Sequence, residues 1–222
     1  MNSFRSYLTG FILFLLGLNA AFALDTVSAT APGPDEALKR LIEGNQRFVA
    51  GAAQHPDSSA ERRTEVAAGQ HPIAIVLCCA DSRVGPEVVF DQGLGDIFVL
   101  RNAGNILDDH TIGSIEYAVE HLAAPLIVVV GHERCGAVTA AVNGGELPGH
   151  IHSIVDAIAP AIVSAKAEAG DKVDNSVRAN AVYVAGILRR IGPIVGEAVQ
   201  AGKVKVVAAR YDLDSGVVEV LK

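Results

Sequence analysis

Two short segments hold residues that do chemistry best in company. Cys78-Cys79-Ala80-Asp81-Ser82-Arg83 closes one apolar run, and Gly131-His132-Glu133-Arg134-Cys135-Gly136 closes another. The H-x-x-C spacing lets one loop turn an imidazole and a thiolate onto a single cation. A further thiolate from the first segment makes a Cys₂His set with a fourth position free, the pattern of a catalytic zinc site. Thiolate with imidazole suits zinc, which needs no redox partner. Side chains alternate along a strand, so Cys78 and Cys79 point to opposite faces and one of them alone can reach the cation. The other is expected to pack as a small apolar group. Asp81 and Arg83, two residues apart, form either a surface ion pair or part of the site.

The elements that must position these residues read as α/β. Residues 73–79 are apolar throughout, as a strand covered on both faces of a parallel sheet should be; 96–101 and 126–132 read alike. Helical spacing from Thr111 between the last two makes a strand-helix-strand crossover. Ligands of open α/β sheets sit beyond the carboxyl ends of the strands, where both cysteine segments fall. Before the first strand, Leu38, Leu41, Ile42, Phe48 and Val49 recur at helical spacing from Asp35, and Gly51 ends the pattern. A second helix is expected from about Ser58 to Gly69, with a capping box through Ser58 and Glu61. Further helices are expected over 135–143, 151–167 and 175–190, then a closing hairpin around Asp214-Ser215-Gly216. The expected fold is thus a central, mostly parallel sheet flanked by helices, with an N-terminal helical arm and a C-terminal hairpin.

Of the 222 residues, 50% are hydrophobic, enough for one well-buried domain. A formal charge of −7 leaves no basic field, so no nucleic-acid partner is expected and a small substrate is. The first residues carry Arg5, an apolar core over 11–18 and an Ala21-Phe22-Ala23 cleavage pattern. Residues 1–23 therefore read as a secretory signal, 24–34 as a flexible leader and 35–222 as the domain. That apolar core is well short of the ~20 residues that span a bilayer, so no stable membrane anchor is expected after cleavage. Export, to the bacterial periplasm, would put the chain in an oxidising compartment. Three cysteines, two of them adjacent, make no disulfide framework there, and metal ligation explains them better. The glycine-rich segment at 91–96 lacks G-x-G-x-x-G and a P-loop lysine, so phosphate binding is not supported.

C-x-D-x-R followed by G-H-x-x-C-G resembles the zinc signature of the β-class carbonic anhydrases. The resemblance extends from about Asp35 to the C-terminus, through the helix after Ala37, the segment 69–105, "GSIEYAVEHL" and "YDLDSGVVEVL". It implies Cys79, His132 and Cys135 as ligands of one zinc ion per subunit and leaves Cys78 outside the signature. It also implies reversible hydration of carbon dioxide to bicarbonate and a proton, by zinc-bound hydroxide, since zinc lowers the pKa of its water from near 15.7 toward ~7. Two thiolates put more negative charge on the metal than neutral ligands would, so activity should favour alkaline pH.

By the same resemblance, Asp81 pairs with Arg83 and orients the hydroxide in an open state, and becomes the fourth zinc ligand in a closed one. Gln70, nine residues before Cys79, and Phe98, Ala103 and Tyr117 match positions that bind substrate, Gln70 from across a dimer interface. A homodimer or homotetramer is implied, with the N-terminal arm wrapping a partner. Bacterial relatives inhibited by bicarbonate carry a tryptophan three residues before the zinc cysteine. Val76 stands there, and the chain has no tryptophan, so that inhibition is not expected. Hydrolysis of carbon disulfide or carbonyl sulfide on the same scaffold is one alternative, which comparing substrates would separate. A zinc-binding relative without catalysis is the other, and retention of Asp81 and Arg83 argues against it.

Overall fold

A computed structural model describes residues 32–165 and 168–222. In chain order the elements are α1 (Pro34–Val49), α2 (Ala60–Val66), β1 (Ala74–Cys79), α3 (Pro86–Val89), β2 (Ile97–Asn102), α4 (Asp109–His121) and β3 (Leu126–His132). Then come α5 (Gly136–Asn143), α6 (Ile151–Ala165), α7 (Lys172–Leu188), α8 (Ile194–Gln200), β4 (Lys205–Tyr211) and β5 (Val218–Leu221). The five strands lie in the order β2-β1-β3-β4-β5; the first four are parallel, and β5 closes the sheet antiparallel to β4. This is the mostly parallel α/β sheet with a C-terminal hairpin that the apolar runs predict.

Every residue of β1 and β3 is buried, because helices cover both faces. Period-two alternation divides them between two cores. Val76, Cys78, Val128 and Val130 pack with Ala37 and Leu41 of α1 on one face. Ile75, Leu77, Ile127 and Val129 pack on the other with Ile115 of α4 and Ala181, Val184 and Leu188 of α7. A fully buried side chain such as Leu41 contributes about 1.5–3 kcal/mol relative to leaving it in water. The apolar stripe of the N-terminal helix docks on this chain's own sheet. Asn45, buried at its base, donates to the carbonyls of Val89 (3.1 Å) and Gly216 (2.8 Å) and accepts from the Val218 amide (2.9 Å), tying α1 to the hairpin.

Helix ends depart from the apolar spacing where a neighbouring side chain takes the cap. Ser59, not Ser58, caps α2 by accepting from the Arg62 amide at 3.1 Å, while the Ser58 hydroxyl is taken by the His55 carbonyl at 2.7 Å. The helix stops at Val66, before Gly69. Asp108 caps α4, which starts two residues ahead of Thr111, and Asp171 caps α7, which starts three residues ahead of Asn175. The short helices α3 and α8, of four and seven residues, carry no periodic signal in the sequence because they hold too few turns. The proposed signal over 1–23 and leader residues 24–31 lie outside the described residues, and α1 begins at Pro34, inside the expected leader. Among the described residues no helix is long and apolar enough to cross a membrane.

Candidate metal centre

β1 and β3 are hydrogen-bonded neighbours running in the same direction, so their carboxyl ends lie side by side. Cys79 is the last residue of β1 and His132 the last of β3, and Cys135 caps α5 after a two-residue turn. One ligand atom from each of Cys79, His132 and Cys135 lies within 4.8 Å of the others, and all three residues are buried. The sulfurs of Cys79 and Cys135 are 4.0 Å apart. Two thiolates on a tetrahedral zinc with bonds near 2.3 Å sit about 3.8 Å apart, so the pair fits that ion without rearrangement.

The imidazole fits as well. His132 Nδ1 lies 2.9 Å from the Glu133 carbonyl, which can only accept, so Nδ1 carries the proton. Nε2 is then left with a lone pair, and it is buried without a hydrogen-bond partner. A buried acceptor with nothing to accept is costly in an apolar setting. A cation held with the two sulfurs removes that cost, and the Glu133 carbonyl fixes the ring as an outer-shell partner should.

Electrostatics separate the adjacent cysteines. The Cys135 thiol donates toward Cys79, and the amide of Gly104, 3.4 Å from the sulfur, adds to it; together they pull the Cys79 thiol far below its ordinary value despite burial. Cys135, facing that thiolate and desolvated, is pushed far up and keeps the proton. Cys78 lies on the opposite face of β1 and is pushed up to about 12, chiefly by burial, so it stays a neutral thiol among Val76, Val128 and Val130. Cys78 and Cys79 thus face separate cores, as alternation along a strand requires.

Asp81 rests on Arg83. Arg83 Nε and Nη2 donate to its two carboxylate oxygens at 2.9 and 2.8 Å, and the Arg83 amide adds a 3.0 Å bond. That fork holds the Asp81 carboxyl well below the usual carboxylate range, against some desolvation. One Asp81 oxygen is 3.8 Å from His132 Nε2, so the pair borders the centre.

Arg101 and Gly104 escaped the sequence reading. Arg101, on β2, donates to the Cys79 carbonyl at 3.0 Å and the Asp81 carbonyl at 2.6 Å, clamping the turn that carries both residues. Its only signal was a charge ending the apolar run of β2. Gly104, at φ +78, turns its amide onto Cys79, and Asn180 of α7 holds the Gly104 carbonyl at 2.9 Å.

The expected substrate-lining residues divide. Ala103, half-buried, adjoins Gly104 and so lies near the centre. Phe98 does not: it pairs with Ile75, four residues before Cys79, or ~13 Å along the strand. Its ring meets that of Tyr117 at 6.4 Å between centroids, and Tyr117 is 48% exposed. Gln70 is exposed in the loop before β1, and among the described residues no hydrogen bond links it to the centre.

This geometry has counterparts. The carbonic anhydrase family model matches residues 74–218. Carbonic anhydrase 2 of Mycobacterium tuberculosis is 44% identical over 187 residues, spanning 82% of this chain and 90% of that protein. The carbonic anhydrase of Mycolicibacterium smegmatis is 41% identical over 191 residues, 84% of this chain and 93% of that one. Among solved structures, the Coccomyxa β-carbonic anhydrase superposes with a TM-score of 0.67 at 27% identity, covering 83% of this chain and 86% of that one. The β-carbonic anhydrase CafA of Aspergillus fumigatus gives 0.65 at 28%, over 85% and 90%. With the Cys₂His centre at the carboxyl ends of β1 and β3 and relatives matched over nearly their whole length, the chain belongs to the β-class carbonic anhydrases.

Proposed function

We propose that this carbonic anhydrase interconverts carbon dioxide and bicarbonate with one zinc ion per subunit, held by Cys79, His132 and Cys135. The single observation that carries the assignment is the meeting of those three donors with the Asp81–Arg83 pair at its border. Zinc, when bound, supplies a Lewis acid that makes a water nucleophilic near neutral pH. The chain's own residues do the rest. Asp81, ionised and held by Arg83, accepts a hydrogen bond from that nucleophile and aims its lone pair at carbon dioxide. Arg83 would keep that carboxylate from swinging onto the metal. Released from Arg83, the same carboxylate would become a fourth ligand that closes the site; the fork to Arg83 supports an open arrangement.

Ala103 lines the pocket from within the subunit, while Gln70, Phe98 and Tyr117 act across an interface. Two features support that division. Phe98, with Tyr117 of α4 against it, sits far along the sheet from Cys79, and among the described residues β2 is an edge strand with half-buried apolar residues. A homodimer is the smallest assembly that completes the pocket, and a homotetramer is a dimer of it. The Arg5 start, apolar core and Ala21-Phe22-Ala23 pattern support export to the periplasm. Stopped-flow hydration of carbon dioxide, with zinc quantified on the same sample, tests the assignment. One zinc per subunit and loss of hydration on chelation are expected. Turnover of carbon disulfide in place of carbon dioxide would redirect the substrate to the sulfur analogues.

A further inference from the structure

His132 and Cys135 can face one cation only if the two residues between them reverse the chain. The reversal is made at Arg134, whose φ is +52. Glycine takes this left-handed conformation freely, and a residue with a Cβ takes it at a cost. Neither residue between the ligands is glycine, so contacts from elsewhere must hold the turn.

Among the described residues, those contacts come from the hairpin that closes the sheet. Arg134 Nη1 and Nη2 donate in parallel to the two carboxylate oxygens of Asp214, both at 2.8 Å. The Glu133 amide donates to the Tyr211 carbonyl at 3.0 Å, and the Glu133 carboxylate accepts from the Leu213 amide at 3.3 Å. The hairpin turn is itself braced. Asp212 accepts from the amides of Asp214 and Ser215 at 3.1 and 2.8 Å, and also from Arg210 at 2.9 Å. Arg210 in turn donates to Asp174 of α7 at 2.6 Å, so the turn is anchored to a helix of the main body.

We propose that Arg134 and Asp214 are positioning residues for the metal: their fork pins the left-handed turn that aims His132 and Cys135 at one point. The proposal deepens the zinc assignment above and rests on it. Exposed ion pairs ordinarily add little, because two mobile side chains must be ordered in a screening solvent. This one differs in being bidentate and in having one partner already held in a strained backbone conformation. Its side chains are 52% and 74% exposed, so its hold on the turn weakens with salt.

The test uses the full-length, zinc-loaded protein. Zinc release to a colorimetric chelator is timed at low and high salt for wild type, Arg134→Ala, Asp214→Ala, the double variant and Arg134→Gly. Each is also loaded with cobalt to record the thiolate-to-metal charge-transfer band. Arg134→Ala and Asp214→Ala are expected to release zinc on the order of tenfold faster, as loss of an outer-shell partner does. The double variant should be no faster than either single change. Arg134→Gly should fall nearer wild type, since glycine takes the turn unaided. Salt should speed wild type toward the variants and leave the variants unmoved, and the cobalt band should shift in Arg134→Ala.

Wild-type release from both single variants, multiplicative effects in the double, or Arg134→Gly as fast as Arg134→Ala would each overturn the proposal while the zinc assignment stands. A wild-type protein that holds no zinc would remove both.

Discussion

Asp81 Oδ2 takes a 2.8 Å hydrogen bond from Arg83 and at the same time lies 3.8 Å from Nε2 of His132. One carboxylate therefore stands between a fixed cation and the face of the site where the metal ligands meet. On the proposed function its position would decide whether a fourth coordination position is open, and the fork to Arg83 would hold it off the metal.

Asp81→Asn should keep zinc and lose hydration on the order of 10²-fold, because an amide cannot replace an ionised acceptor beside the nucleophile. Arg83→Ala should also slow hydration, by freeing Asp81 to swing toward the metal. Stopped-flow rates with zinc counted on each variant check both. Zinc lost together with activity in Asp81→Asn would make Asp81 a resting ligand.

The pH profile follows from the sign of the Asp81 shift. Its folded-state value is depressed, chiefly by the Arg83 fork, so the pair is intact above the unfolded value near 3.9 and is lost as pH falls through the folded one. Between pH ~6 and ~9 the pair does not titrate, and a change in rate there belongs to the water that the site activates. With two thiolate ligands, rates should climb toward the alkaline end. A flat profile across that window would contradict the proposed chemistry.

The adjacent cysteines should behave oppositely. Cys79→Ser is expected to lose zinc and hydration. Cys78→Ser should keep both and lose about 1–3 kcal/mol of stability, because a hydroxyl costs more than a thiol to bury among valines. Metal content and urea midpoints separate the two outcomes.

Two glycines give opposite signs of stability change. At Gly104 a Cβ would meet Ile158 Cδ1 at 2.7 Å and Ala137 Cβ at 3.2 Å, at φ +78. Gly104→Ala should cost about 1–3 kcal/mol and weaken zinc binding by moving the amide that faces Cys79. Gly113, exposed within α4, has nothing within 4 Å of that position. Gly113→Ala should stabilise the fold by about 0.5–1 kcal/mol. Urea unfolding curves of the two variants read both.

Sedimentation velocity on the purified protein should give a dimer or a multiple of one. Tyr117→Glu, on the exposed face beside Phe98, should weaken that assembly and cut hydration while zinc content holds. A fully active monomer would overturn the shared pocket.

What the sequence determined by itself was local. Unbroken apolar runs at β1 and β3 are legible because strands buried on both faces tolerate no polar residue, and alternation alone separates Cys78 from Cys79. The donor types of Cys79, His132 and Cys135 name the metal before any coordinate does. Tertiary structure decided which oxygens and amides the site residues meet. Asp81 turned to Arg83, Arg101 closed on two carbonyls, and the turn at Arg134 was tied to Asp214, eighty residues on in the chain. It also placed Phe98 far from Cys79, because the register of β1 against β2 sets that separation. Hydropathy records burial, which each residue carries in its own side chain. Hydrogen-bond direction and strand register are properties of pairs, and those exist only once distant segments have met.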